Sequence, residues 1–306
     1  MKIWNPDSDQ LPEQFRHGAV TVGNFDGVHR GHAEIIRRMK AHGLPAAVFT
    51  FARHPRQVLN PAEAPQRLTS LARQEELLHA LGVETVIFAP TESILSWTPE
   101  TFFQRVIADF FDASVVVEGP DFHFGKGRTG TTQLLEHLCL DSGRKIEIAE
   151  ELHAADGIPI SSSRIRELIS HGELSEANAI LTAPYRLTGT VIHGEARGRT
   201  LGFPTANLGK IQTLLPGHGV YACRAILEDG RTCPAAVHIG PNVTFGETET
   251  KVEIHLLDFS GDVYGESLSI DFHSRLRELV TFPNRNALMK QIDLDISETR
   301  KRILDF

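Results

Sequence analysis

The chain has 306 residues, 23% of them charged and 41% hydrophobic, with a formal net charge of −8. That length suffices for two domains with separate cores, no apolar run is long enough to span a bilayer, and the acidic balance argues against a general nucleic-acid surface. Cys139, Cys223 and Cys233 suggest neither a disulfide framework nor a zinc site, and residues 1–6 lack a signal-peptide core, so a cytoplasmic protein without membrane or nucleic-acid partners is expected.

Ala19, Val20 and Val22 form the first strand-like run, which breaks at Gly23, Asn24, Phe25, Asp26 and Gly27. His29 and His32 then fall in the first turn of a helix, three apart on one face. Free N–H groups and the helix dipole draw phosphate to such a turn, and two histidines there can donate to oxygens that gain charge during phosphoryl transfer. His-x-x-His with Asp26 nearby is also a metal-ligand spacing, although zinc sites usually show a longer ligand set. Residues 46–51, 85–89 and 115–117 are further short apolar runs, and 71–81 has helical spacing through Leu77, Leu78 and Leu81. This alternation predicts βαβ units and a parallel sheet covered on both faces, with ligands beyond the carboxyl ends of the strands, where residues 23–32 fall.

Gly125, Gly127 and Gly130 satisfy Gly-x-Gly-x-x-Gly, but the strand ends near Val117 and a dinucleotide fingerprint must follow its strand at once. Residues 119–130 are instead expected to form a flexible active-site loop, with Asp121 facing substrate and Lys126 and Arg128 available to phosphate; a solvated glycine-rich turn is the alternative. Residues 161–182 read as two short helices joined at His171-Gly172, with Ser161 or Ser162 as the first cap. Ser162, Ser163 and Arg166 offer hydroxyls and a planar fork to phosphate, though a plain capped amphipathic helix would look the same.

After Pro184 the texture turns to β: strand character marks 186–193, 219–227, 235–239, 251–259 and 267–273, while 286–303 returns to helical spacing. Asp229-Gly230 and Ser260-Gly261-Asp262 read as hairpin turns. The prediction is a small antiparallel barrel closed by a C-terminal helix, with domains at 1–183 and 184–306. Residues 193–207 are broken by Gly194, Gly198, Gly202 and Pro204, as in a loop shaped around a ligand, and Thr205 and Asn207 offer oxygens to a hard cation. Glu253 alternates with Val252 and Ile254, which by pattern alone reads equally as a solvent-facing carboxylate or a base.

His29-Arg30-Gly31-His32 resembles the His-x-Gly-His signature of the nucleotidylyltransferase superfamily. Ile160-Ser161-Ser162-Ser163-Arg164-Ile165-Arg166 resembles its Ile-Ser-Ser-Thr-x-Ile-Arg element, with Ser163 in the threonine position. Together with Thr50-Phe51-Ala52-Arg53-His54-Pro55, Arg67-Leu68-Thr69-Ser70, Pro184-Tyr185-Arg186, residues 198–207 and 253–259, and Tyr264-Gly265, these motifs make nearly the whole chain similar to the bacterial bifunctional riboflavin kinase/FMN adenylyltransferase family. The resemblance implies a Rossmann-like first domain and a kinase barrel that contains no P-loop, with riboflavin, FMN and ATP as substrates and Mg²⁺ as cofactor. It implies that His29 and His32 stabilise the triphosphate as FMN attacks ATP, that Gly23, Asn24, Phe25, Asp26, Gly27, Ser162, Ser163 and Arg166 hold the nucleotide, and that His54, Asp121 and Arg277 meet the flavin. In the kinase half it implies that Gly194, Gly198, Arg199, Gly202, Phe203 and Pro204 wrap ATP. There Thr205 and Asn207 would bind Mg²⁺, and Glu253 would take the proton of the riboflavin 5′-hydroxyl. Two departures stand out: Val243-Thr244 replaces the usual Pro-Thr, and Glu278 comes one place early before Phe282. The competing readings are a monofunctional FMN adenylyltransferase with the barrel as a flavin-binding regulatory module, and a flavin-responsive binding protein without turnover. An aminoacyl-tRNA synthetase shares His-x-Gly-His, but its second signature is missing.

Overall fold

The computed structural model describes residues 3–6, 8–194, 202–242 and 248–304. Its chain contacts resolve two compact units, Met1–Ser162 and Ser163–Phe306.

The first unit is a five-stranded parallel sheet in the order β3-β2-β1-β4-β5. The strands are β1 (Ala19–Val22), β2 (Ala46–Phe51), β3 (Thr85–Ala89), β4 (Val115–Glu118) and β5 (Lys145–Ile148). Side chains alternate across β1. Val20 and Val22 join a core cluster with Trp4, Phe49, Phe102, Val106, Phe110 and Phe111 on one face. Ala19 packs with Met39, Ala46, Val115 and Val117 on the other. The crossovers are α1 (Arg30–Ala41), then α2 (Pro55–Leu59) with α3 (Leu71–Ala80), and finally α4 (Thr91–Ile94) with α5 (Pro99–Phe102). A π-helix over Phe103–Phe110 continues α5, and α6 (Thr132–Asp141) links β4 to β5. The strand order reverses between β1 and β4, so a crevice opens beyond their carboxyl ends, the position at which such sheets bind ligands.

The glycine-rich stretch after β4 is held by backbone hydrogen bonds. Phe124 and Gly130 exchange both backbone hydrogen bonds (3.1 and 2.9 Å), and the Lys126 N–H donates to Trp97 O at 2.7 Å. The glycines serve packing: a Cβ on Gly125 would lie 2.6 Å from the Pro99 nitrogen, and one on Gly130 would lie 2.7 Å from the Phe124 ring. Gly125 also has φ +72°, open to glycine at little cost. These contacts shape residues 124–130 into a hydrogen-bonded turn.

In the second unit, α7 (Ser162–His171) and α8 (Leu174–Ile180) turn at Gly172, φ +82°. α8 docks on the barrel through Asn178, whose amide donates to Phe272 O (2.8 Å) and accepts from the Tyr185 N–H (2.9 Å). That attachment explains why the compact units part at 162/163, although the composition changes only at 184. The barrel closes in the order β10-β7-β6-β11-β8-β9. Its strands are β6 (Arg186–Ile192), β7 (Ala206–Gly209), β8 (Gly219–Ile226), β9 (Thr232–Gly240), β10 (Lys251–Leu256) and β11 (Ser267–Arg277). Asp229-Gly230 makes the β8–β9 hairpin, with Gly230 at φ +85°. Ser260-Gly261-Asp262 does not make a hairpin: β10 pairs with β7 and β9, whereas β11 pairs with β6 and β8, so this turn lies in a connection between non-adjacent strands. The C-terminal helix α9 (Arg285–Leu304) covers β8, β9 and β11.

Candidate active sites

In the first unit the site is built on a contorted turn after β1. Phe25 (φ +46°), Gly27 (+85°) and Val28 (+43°) all occupy left-handed backbone conformations. For Phe25 and Val28 such geometry costs about 1–3 kcal/mol each, and it persists only where surrounding contacts enforce it. Here burial enforces it, since Phe25 is 2% and Val28 0% exposed. Polar anchors complete the turn. The Asp26 carboxylate accepts from the backbone N–H groups of Leu68 (3.0 Å) and Thr69 (3.1 Å) and from the Thr69 hydroxyl (3.1 Å). Gln74, fully buried, donates to Asn24 O (2.7 Å), and its amide oxygen accepts from Arg67 (2.9 Å). Asp26 thus acts on the shape of the turn through its side chain.

The two histidines cap α1 reciprocally. His29 Nδ1 accepts from the His32 N–H at 3.4 Å, and His32 Nδ1 accepts from the His29 N–H at 3.3 Å. The rings stack at 3.6 Å, with Phe25 against His32 at 4.7 Å. Burial lowers the His29 pKa to about 4 against a weaker opposing pull from Asp26, and burial also holds His32 well below its ordinary value, with His29 adding to the effect. Both imidazoles are therefore neutral at pH 7. Since each Nδ1 is an acceptor, each proton sits on Nε2, which leaves two N–H donors on one helix start. Gly31 leaves room for the stack, since a Cβ there would lie 3.1 Å from His29 Nδ1 and press on the ring.

Sequence reasoning missed Glu118. It is 2% exposed at the end of β4 and accepts from the Val22 N–H (2.7 Å) and the Thr21 hydroxyl (3.2 Å). The β1–β4 register ends at Val20 and Val116, so the carboxyl takes over where the ladder stops and the crevice opens. Burial raises its pKa well above the carboxylate range, outweighing both hydrogen bonds. Gln74 and Arg67 were likewise without a role in the sequence. A lone acid closing an apolar Val-Val-Val run was the only signal for Glu118.

Ser162 donates its hydroxyl to Asp26 O at 2.8 Å, so it anchors the His turn directly. Ser163 and Arg166 follow on α7 in the second unit. His54 caps α2, its Nδ1 accepting from the Arg56 N–H at 3.1 Å, while Asp121 is exposed in the turn after β4.

In the second unit, Glu253 on β10 is paired directly with Asn207 on β7 and with His238 on β9. Thr205 immediately precedes β7, two residues before Asn207, and Val252 and Ile254 point the other way from Glu253 into the core. Asn242 donates to Glu253 Oε2 at 3.3 Å, and His255 bonds Pro204 O through Nδ1 at 2.8 Å, fixing the end of the loop. Gly194 has to be glycine here: a Cβ would lie 2.1 Å from the Asn207 amide. Gly202 (φ +89°), Phe203 and Pro204 lead directly into this cluster, with Phe203 set edge-on to His255 at 6.0 Å. Gly198, Arg199 and the Val243-Thr244 departure lie outside the described residues.

Arg277 is not brought to this face. Its fork grips Asp295 of α9 (2.8 Å at Nη2), a carboxylate only 7% exposed, and its remaining Nη1 donates to Glu278 O at 3.1 Å. This grip clamps the C-terminal helix to β11. Asn207, paired with Glu253, and Thr205 close before it in the chain carry uncharged oxygens, the donor chemistry of a Mg²⁺ site that draws its other ligands from phosphate and water.

Comparison with known proteins agrees with this two-part layout. The FAD synthetase family profile matches residues 11–164 and the riboflavin kinase profile matches residues 181–303. A bifunctional riboflavin kinase/FMN adenylyltransferase from Pseudomonas fluorescens is 35% identical, aligned over 95% of this chain and 94% of its own. One of the same description from Listeria monocytogenes is 36% identical over 92% and 91%. A crystal structure from Streptococcus pneumoniae, described as a macrolide-efflux protein, superposes with a TM-score of 0.84 at 31% identity, covering 97% of each chain. Among the described residues no helix is long and apolar enough to cross a membrane. With both halves matched and the relatives aligned end to end, the chain belongs to the bifunctional riboflavin kinase/FMN adenylyltransferase family.

Proposed function

We infer that this chain makes FAD in two steps: riboflavin and ATP give FMN and ADP in residues 184–306, then FMN and ATP give FAD and pyrophosphate in residues 1–183. The observation that carries the reading is the coexistence in one chain of the reciprocally capped His29–His32 pair and the Glu253–Asn207 cluster. Glu253 accepts the proton of the riboflavin 5′-hydroxyl as that oxygen attacks the γ-phosphorus. Asn242 orients the Glu253 carboxylate. Thr205 and Asn207 hold Mg²⁺, which supplies charge neutralisation at the phosphates. Gly194, Gly202, Phe203 and Pro204 serve the ATP side, and the ATP roles of Gly198 and Arg199 follow from the same motif.

For adenylyl transfer, the Nε2–H groups of His29 and His32 donate to phosphate oxygens as negative charge moves onto the departing pyrophosphate. Their neutrality suits this role, since they stabilise developing charge without trapping the ground-state triphosphate. The turn formed by Gly23, Asn24, Phe25, Asp26 and Gly27 shapes the nucleotide pocket. His54 and Asp121 serve the flavin, and the phosphate roles of Ser163 and Arg166 follow from their motif. Free thiols at Cys139, Cys223 and Cys233 accord with a cytoplasmic enzyme.

The test is a time course of purified chain with riboflavin, ATP and Mg²⁺, resolved by chromatography. FMN followed by FAD is expected. FAD formed only from supplied FMN would establish the monofunctional alternative, and flavin binding without any product would refute both enzymatic readings.

A further inference from the structure

Arg67, half-buried just before α3, bonds three segments of the first unit through one guanidinium. Its Nε–H donates to Thr69 O at 3.1 Å, Nη1 donates to Ala52 O at 3.2 Å, and Nη2 donates to Gln74 Oε1 at 2.9 Å. Two of these acceptors lead to the histidine turn. Thr69 holds the Asp26 carboxylate with its N–H and its hydroxyl. Gln74, fully buried, donates through its amide nitrogen to Asn24 O (2.7 Å) and to the Thr50 hydroxyl (3.2 Å), and Thr50 in turn donates to Asn24 O (3.1 Å). The third acceptor, Ala52 O, belongs to the loop after β2, directly ahead of Arg53 and His54.

That loop is tied separately on its other side. The Ala52 N–H donates to Ala89 O at the end of β3 (3.0 Å). The buried Thr91 hydroxyl accepts from the Arg53 N–H (3.1 Å) and donates to Arg53 O (2.7 Å). Since β2 lies between β3 and β1, the loop is fastened toward β3 by Ala89 and Thr91 and toward the turn after β1 by Arg67. A planar guanidinium presents its donors in several fixed directions at once, which a lysine ammonium on a flexible stem does not reproduce.

We propose that Arg67 is a positioning residue for adenylyl transfer, setting the spacing between the loop after β2 and the turn after β1. The proposal rests on the reading that His54 serves the flavin while His29 and His32 serve the triphosphate. The FMN phosphate must meet the α-phosphorus of ATP in line, and a misplacement on the order of 1 Å costs about a hundredfold in rate. Arg67 acts through the two backbones it joins, with no contact of its own to either substrate.

The experiment is single-turnover FAD formation from supplied FMN and ATP by wild type, Arg67→Met and Arg67→Lys, with riboflavin phosphorylation by the same preparations as the control. Arg67→Lys keeps the charge and the aliphatic stem, so it carries the test if Arg67→Met does not fold. In Arg67→Lys the rate at saturating FMN and ATP should fall by about tenfold or more, with the half-saturating concentrations little changed and riboflavin phosphorylation at the wild-type rate. An undiminished saturated rate in Arg67→Lys would overturn the proposal. So would a loss that disappears at saturating FMN or ATP, which would make Arg67 a ligand of that substrate, or an equal fall in riboflavin phosphorylation, which would mark a general effect on the fold. Failure of the wild-type chain to form FAD from FMN would defeat the underlying adenylyl-transfer reading, an outcome distinct from all of these.

Discussion

Glu118 provides a sharp test of how the adenylyl site is held open. Replacing it with Ala leaves the Val22 N–H and Thr21 hydroxyl unpaired in a site that is 2% exposed. Each stranded donor costs about 1–3 kcal/mol, and the vacated volume adds to this, for a total of roughly 3–5 kcal/mol. At about 2–4 °C per kcal/mol for a unit of this size, the melting temperature should fall by roughly 6–20 °C. Glu118→Gln should behave differently. Burial keeps the acid protonated, so an amide of the same shape can still accept from Val22 and should change stability by about 1 kcal/mol or less. The pH dependence has a definite sign. With its folded pKa raised, wild-type Glu118 contributes stability below its unfolded value, and this is lost as pH rises toward the folded value. Glu118→Gln removes that loss, so the variant should gain on wild type as pH rises above the ordinary carboxylate value in calorimetry. If Gln proves as damaging as Ala at every pH, the carboxyl is ionised and the account of the crevice is wrong.

Three further outcomes are expected. His29 is neutral when folded and takes up a proton on unfolding between pH 6.5 and about 4, so stability falls as pH drops through that window. Urea unfolding at pH 7 and pH 4 should show wild type losing roughly 3 kcal/mol more than His29→Asn, which retains a capping side chain; equal losses would contradict the buried neutral imidazole. Gly31→Ala should slow FAD formation from FMN by about tenfold or more while sparing FMN formation, since the new Cβ pushes on His29; assays of both half-reactions check this. Arg277→Met strands the buried Asp295 carboxylate and should cost about 3–5 kcal/mol, with Asp295→Asn milder. A large rise in the KM for riboflavin at unchanged stability would instead restore Arg277 to the flavin.

The parallel sheet was readable because β1, β2 and β4 are short apolar runs, and the barrel because its strands alternate. β5 escaped notice: Lys145-Ile146-Glu147-Ile148 lies at the sheet edge and offers no apolar run. Ser260-Gly261-Asp262 has hairpin chemistry, but strand pairing is decided across the whole barrel, and no local signal tells a hairpin from a longer connection. The placement of α7 and α8 depended on tertiary contacts such as Asn178 with Phe272, which composition does not encode. At the sites, motif spacing located the two histidines, Asn207 and Glu253. It could not reveal that Asp26 holds the backbone of Leu68 and Thr69, or that Arg277 holds Asp295. Either residue type can serve a ligand or hold the fold, and only its partners tell the roles apart.

The central claim is that two chemistries reside in separate halves of one chain, and a paired substitution tests it directly. Glu253→Ala should abolish FMN formation from riboflavin while leaving FAD formation from supplied FMN at the wild-type rate. His29→Ala/His32→Ala should do the reverse, accumulating FMN without FAD. Loss of both activities in either folded variant, or riboflavin phosphorylation at a normal rate without Glu253, would contradict the account.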